Sequence, residues 1–130
     1  MTSDKERENT LDKKTLVFGA SLNPMRVSHQ AVQRLAAKGL RVVAIGGRHG
    51  FINDVPIHRE YQEWKDIHTI TLYMGYKRQS EHIDYFLSLK PKRIIFNPGA
   101  ENHELFMDAK EQGIEVLNAC TLVMLSTGQY

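Results

Sequence analysis

"TLVFGASLNPMRVSHQAVQRL", residues 15–35, decides the fold. A run of β-formers halts at a single glycine, Gly19, and the chain resumes as an amphipathic helix, residues 28–38, with Ala31, Val32, Leu35 and Ala36 on one face. Gly39 stands where a left-handed residue commonly stops such a helix. "LRVVAIGG" follows as a second strand, nearly continuous in Val and Ile, as in strands covered on both faces. Strand, turn, helix and strand in this order open a parallel sheet with helical crossovers.

The rhythm continues to the end of the chain. "HTITLYM" reads as a third strand, and "KRQSEHIDYFLSL" as a helix with Ile83, Phe86 and Leu87 inward, closed by Pro91. "KRIIFNPG" is a fourth strand and "ENHELFMDAKEQG" a helix with Leu105, Phe106 and Ala109 inward. "IEVLNA" is a fifth strand, and "CTLVMLSTGQY" a last helix ending near Gly128. Residues 48–66 are the least regular; they are expected to wind across a sheet edge, with a short helical turn near Tyr61. The pattern predicts an α/β, Rossmann-like, doubly wound and mainly parallel five-stranded sheet, order 3-2-1-4-5, with helices on both faces. It forms one domain over 14–130 behind a flexible N-terminal tail, 1–13. Ligands of such sheets lie outside the carboxyl ends of the strands, here 19–28, 46–50, 74–77, 97–102 and 118–120.

Composition narrows the function. With 130 residues, 42% hydrophobic and 25% charged, the chain has the make-up of one ordinary globular domain. A net charge of +2 gives no ground for a nucleic-acid partner or an anionic membrane, so an anion must be met by a few placed groups. One cysteine, Cys120, excludes an internal disulfide and a cysteine-rich zinc site, and suits a reducing cytoplasm. The first fourteen residues carry four acids and four bases with no apolar centre, unlike a signal peptide or anchor.

A strand that ends in Gly19-Ala20-Ser21 and leads into a helix offers unpaired backbone N–H groups and the positive end of a helix dipole, which favour phosphate. The dinucleotide fingerprint needs three glycines, and "GASLNP" supplies one, so the literal motif fails. Pro24 lengthens the loop; Ser21 and Ser28 can add hydroxyls and Arg26 a charge. The plainer alternative is that Gly19 merely turns the chain, Ser28 caps the helix and Arg26 is solvated.

The end of the second strand discriminates between cofactors. Nicotinamide-dependent folds place an acid there to hold a ribose hydroxyl. "AIGGRHG" has none, and the nearest acid is Asp54. Gly46 and Gly47 allow close approach to a ligand, and Arg48 with His49 suits a phosphomonoester on the ribose. That combination fits coenzyme A, with its 3'-phosphate, or NADP, with its 2'-phosphate; an ordinary loop arginine is the alternative.

On these residues the chain resembles the small stand-alone CoA-binding proteins, whose domain also opens the succinyl-CoA synthetase α subunit. The likeness spans 14 to about 126. It rests on "VFGASLNPMRVSHQAVQRLAAKGLRVVAIGG" and, less specifically, on "FNPGAENHELFMDAKEQGIEVLNACTLVML". The resemblance implies that Gly19, Ala20 and Ser21 line the diphosphate while Asn23, Pro24, Arg26 and Ser28 shape that loop. It places Gly46, Gly47 and Arg48 at the adenosine end, Met74 along the opposite wall, and Asn97, Pro98 and Cys120 toward the pantetheine arm. Three departures stand out: Gly46-Gly47 replaces an Asn-Pro pair, "MGYKRQ" matches an arginine-rich turn only through Lys77 and Arg78, and Asn118-Ala119 replaces an Asp-Arg pair before the cysteine.

The sequence names no catalytic or metal-binding set. The six histidines show no helical ligand pair at three- or four-residue spacing and read as surface or capping residues, with His29 set apart because it opens the phosphate-facing helix. Cys120, at a strand-to-helix junction, is either a small packed residue or an activated thiol. In the ligases the domain only holds CoA while other domains do the chemistry. The expected function is therefore a non-catalytic module that senses, stores or presents coenzyme A or an acyl-CoA, as a monomer or homodimer with no nucleic-acid or membrane partner. The alternatives are an NADP-dependent oxidoreductase using Tyr76 and Lys77, and an interaction module that has lost its ligand.

Overall fold

The computed structural model describes residues 13–130; the predicted tail, apart from Lys13, lies outside the described residues. The leading strand β1 (Thr15–Ala20) alternates its side chains between two cores. Leu16 and Phe18 enter one, and Val17 enters the other. Helix α1 (Val27–Ala37) lies on the Val17 side with Val32 and Leu35 buried. β2 (Val42–Gly46) pairs parallel with β1 in the register Thr15↔Val42 to Phe18↔Ile45, with an irregularity before Ala20↔Gly46.

Residues 48–66 supply two strands that the hydrophobic pattern does not announce. β3 (Gly50–Ile52) and β4 (Val55–His58) form an antiparallel hairpin, Phe51↔Pro56, across the turn Asn53-Asp54, where Asn53 has φ 51°. β4 then pairs parallel with β2, Ala44↔Ile57. After it come β5 (Thr69–Leu72), α2 (Tyr76–Gln79), α3 (Ile83–Ser88), β6 (Arg93–Phe96), α4 (His103–Glu111), β7 (Glu115–Asn118) and α5 (Thr121–Ser126). The sheet has seven strands in the order β3-β4-β2-β1-β5-β6-β7, parallel except for β3.

This corrects the five-stranded expectation and its order. The strand beside β2 is Val55–His58, and Thr69–Leu72 sits on the other side of β1, so the five expected strands run 2-1-3-4-5. Four residues containing a proline are too short to display alternation, which is why β4 escapes a pattern-based reading. No helical turn forms at Tyr61: residues 59–68 cross without helix from β4 to β5, laying Trp64 and Ile67 on the Phe18 core.

The helix expected over 77–89 is broken into α2 and α3. Gln79 turns its buried amide inward to donate to the Met74 carbonyl (2.8 Å) and the Ala100 carbonyl (2.7 Å), and Asn102 donates to its Oε1 (3.0 Å). Those bonds pull the first turn down onto the sheet, and a tight turn, His82 N to Gln79 O at 2.8 Å, restarts the helix. α3 and α4 cover the Phe18 face through Phe86, Leu105 and Ala109, while α1 and α5 cover the other through Leu35, Met124 and Leu125. Each of the larger of these side chains, when fully buried, contributes about 1.5–3 kcal/mol. Among the described residues no helix is long and apolar enough to cross a membrane.

Candidate functional site

β1 is the switch point: β2 and β4 lie to one side and β5, β6 and β7 to the other. Over the carboxyl ends of β1, β2 and β5 opens a cavity of about 560 Å³, within the usual range for small-molecule sites. Backbone contacts set its floor. Gly19 has φ +97°, and a Cβ there would stand 3.0 Å from the Tyr73 carbonyl oxygen, so the end of β1 can press against β5 only as glycine. Gly46 is more constrained still: its Cβ would fall 2.0 Å from the Ala20 carbonyl oxygen. Gly47, by contrast, meets nothing within 4 Å, so among these three lining glycines it alone leaves its backbone open.

The first loop is fastened from within. The Ser21 N–H donates to Ser28 Oγ (3.1 Å), Asn23 N–H to Ser21 Oγ (3.1 Å), Met25 N–H to Asn23 Oδ1 (3.0 Å) and Arg26 N–H to the Asn23 carbonyl (3.0 Å). His29 Nδ1 lies 2.9 Å from the Ser21 carbonyl. The Ser21 amide of the turn expected to offer free N–H groups is thus engaged, as are three further along the loop, because its short polar side chains and the Asn23 carbonyl compete for them. Ser28 is not the helix cap: Arg26 occupies that position and no side chain caps α1, which leaves its first-turn amides without a side-chain acceptor.

Eight of the residues picked from the sequence meet around the cavity: Gly19, Ala20, Ser21 and Asn23 on the first loop, Gly46, Gly47 and Arg48 after β2, and Met74 after β5. Pro24 and Arg26 are exposed beyond its rim, and Ser28 is buried behind the loop. Asn97, Pro98 and Cys120 do not line it. Asn97 is buried and ties three elements together, donating to Thr71 Oγ1 (2.6 Å) and the Leu72 carbonyl (2.9 Å) and accepting from Thr121 N–H (2.9 Å). Pro98 is exposed in the turn after β6, and Cys120 is the half-buried residue before α5. Tyr76 and Lys77 are exposed and off the lining.

The structure adds residues that were not among the site candidates read from the sequence. Arg59, just after β4, and Arg78, on α2, join Arg48 at the cavity, and no carboxylate lines it. His82 also lines it, with its ring against Phe18 at 4.8 Å between centroids. Tyr73 borders it with a buried hydroxyl that makes no well-formed hydrogen bond. Burial pushes that phenol up to about 12, against the pull of the nearby Thr71 and Thr121 hydroxyls. Arg78 was visible in "YKRQ", but Arg59 and His82 carried no signal, because what recruits them is the unforeseen β4 and the break between α2 and α3.

Fold, switch-point cavity and cationic border together define a Rossmann-like domain of the kind that holds phosphate-bearing cofactors. The chain belongs to the CoA-binding-domain family, whose model matches residues 13–126. A solved structure described as an uncharacterized protein is 42% identical, with 91% of this chain and 98% of that one covered and a TM-score of 0.88. A Thermus thermophilus protein (21% identity, coverage 99% and 100%, TM-score 0.78) and a hypothetical protein from Pyrococcus horikoshii OT3 (20%, coverage 97% and 92%, TM-score 0.80) share the fold. No curated protein shows significant similarity to the chain.

Proposed function

We propose that the chain binds coenzyme A or an acyl-CoA over the carboxyl ends of β1, β2 and β5, as a non-catalytic module that senses, stores or presents the cofactor. The observation that carries this reading is the border of the cavity: Arg48, Arg59 and Arg78 arrive from three separate segments with no acid among them. Like charges gathered without counter-charge are costly in the free protein and are repaid by a polyanion. Coenzyme A brings a diphosphate and a separate 3'-phosphate, and Gly47 leaves the backbone open to it. Family membership supports the same cofactor. What supports the non-catalytic part is that the lining brings no carboxylate or thiol and that its phenol, Tyr73, is pushed up to about 12 and so is a weak proton donor, which leaves His82 without an acid–base partner among the lining residues.

NADP also carries three phosphates, so the test must separate the two. Thermal unfolding with CoA, dephospho-CoA, NADP and NAD does so. CoA at about 100 times its dissociation constant stabilises by roughly 2.7 kcal/mol, on the order of 10 °C for a domain of this size. Dephospho-CoA and NAD are expected to give much smaller shifts. A larger shift with NADP than with CoA overturns the cofactor assignment, and no shift with any of them favours an interaction module that has lost its ligand.

A further inference from the structure

The wall of the cavity opposite the first loop contains a histidine held in an unusual way. His82 Nδ1 lies 2.5 Å from the Tyr61 hydroxyl, and the Tyr61 ring stacks on Tyr85 at 4.0 Å and 10°. The Tyr85 hydroxyl in turn donates to the Gln62 carbonyl at 2.6 Å, tying the crossover that carries Arg59 and Tyr61 to α3. The imidazole also packs on Phe18 and Phe86. Its position is therefore fixed from three elements: β1, the crossover and α3. Nε2 has no hydrogen-bond partner among the described residues, and His82 borders the cavity.

With Tyr61 donating to Nδ1, the ring proton of a neutral His82 resides on Nε2. Tyr61 has a second acceptor, the Glu81 carbonyl at 3.3 Å. The hydroxyl can turn to that carbonyl and accept from Nδ1–H, so the Glu81–Tyr61–His82 chain stays bonded when the imidazole is protonated. Nε2 is a donor in both states. We propose that His82 is a ligand-binding residue that donates Nε2–H to an anionic oxygen of the bound cofactor, with Tyr61 as its positioning residue. The inference rests on the cavity being a site for a phosphate-bearing ligand.

The charged and titratable groups facing the ring are Arg78 on α2, Glu81 and Tyr85 on the α3 side, and Tyr61 with Arg59 on the crossover. Burial holds the imidazole below its ordinary range in the free protein; Glu81 opposes that effect and Arg78 adds to it. A phosphate against Nε2 reverses the balance by favouring the imidazolium.

The experiment is isothermal titration of CoA between pH 6 and 8 into the wild-type chain, His82→Gln, His82→Phe and Tyr61→Phe, with nitrogen-detected NMR of the His82 ring. The NMR is expected to show the Nε2–H tautomer in the free protein and a raised pKa in the complex. His82→Phe is expected to lose about tenfold in affinity at pH 7. His82→Gln keeps a donor but cannot gain a proton. The affinity ratio of wild type to His82→Gln should thus climb from about threefold or less at pH 8 to about tenfold at pH 6. Ratios cancel the titration of the ligand's own phosphate. Tyr61→Phe keeps the stacked ring, so it should fold normally and bind with a flatter pH dependence. A ratio that does not change with pH, or a His82 titration unmoved by ligand, overturns the inference while leaving CoA binding intact. If CoA does not bind the wild type, the functional reading fails separately. Inorganic pyrophosphate is then the probe, and a His82 resonance indifferent to it sinks this inference too.

Discussion

Gly46 and Gly47 are neighbours with opposite reasons for being glycine, and replacing each by alanine separates the fold from the site. At position 46 the new Cβ falls 2.0 Å from the Ala20 carbonyl oxygen, 3.1 Å from its carbon and 3.1 Å from Ile57 Cγ2. The obstacle is backbone, held by β1 on one side and β4 on the other, so no rotamer change relieves it. The strand ends must part by about 1 Å, and overpacking of this kind costs about 1–3 kcal/mol. Because the clash is with main chain in a sheet paired on both flanks, the upper end applies: about 3 kcal/mol, or on the order of a 10 °C fall in Tm. At position 47 nothing lies within 4 Å and φ is not left-handed, so Gly47→Ala should stay within about 0.5 kcal/mol of the wild type. Thermal and urea unfolding followed by circular dichroism reads both. If Gly47 faces the ligand, its alanine variant should instead lose at least about fivefold in CoA affinity, roughly 1 kcal/mol. A Gly46→Ala protein that melts within about 2 °C of the wild type, or two variants equally destabilised, would refute the assignment of these roles.

Asn97→Ala removes three buried hydrogen bonds joining β6 to β5 and α5, so it should destabilise by about 2–4 kcal/mol while changing CoA affinity of the folded fraction by less than about threefold. Calorimetry of unfolding and binding distinguishes this from a pantetheine contact, which would give the reverse pattern. Arg59→Ala should weaken CoA about tenfold and dephospho-CoA no more than about threefold, if its guanidinium meets the 3'-phosphate; equal losses in titration calorimetry would place Arg59 elsewhere. His68 is held down to about 4 by burial and by Arg93, Lys13 and Lys92. The unfolded chain binds its proton near pH 6.5, so stability is whole above that and declines as pH falls from 6.5 toward 4. After allowing for solvent screening of this half-exposed ring the loss is about 1 kcal/mol, and His68→Gln should flatten that part of the urea-unfolding pH profile.

The parts of the fold legible in the sequence are those whose signal is periodic. β1, with residues alternating between two cores, and α1, with Ala31, Val32 and Leu35 on one face, follow directly from spacing. β4 does not, because its single buried residue, Ile57, sits between an exposed proline and a half-buried histidine. The clue that was present is local: Asn53-Asp54 between "GFI" and "VPIH" is a hairpin turn pair. Missing β4 shifted the order of the whole sheet, since whichever strand follows β2 at its outer edge determines on which side of β1 the next one lies.

The same physics divides the site. The glycines of its floor are conspicuous in "VFGAS" and "AIGGR", but the sequence reads Gly46 as making room for a ligand, whereas the structure uses it to let the Ala20 carbonyl pass. Its walls were not legible, because a residue comes to line a cavity through the path of the chain, and periodicity is silent about paths. Arg59 reaches the cavity only because β4 delivers the crossover beside β2. His82 reaches it because Gln79 abandons the helix face to bond Met74 and Ala100, ending α2 after its first turn. It follows that Gln79→Leu, which keeps the bulk but leaves the Met74 and Ala100 carbonyls and the Asn102 amide without partners, should disturb the His82 side of the pocket more than its glycine floor. Amide exchange should register this as faster opening at residues 76–83 with little change at 19–23, whereas uniform acceleration would mean that Gln79 supports the fold as a whole and not this wall.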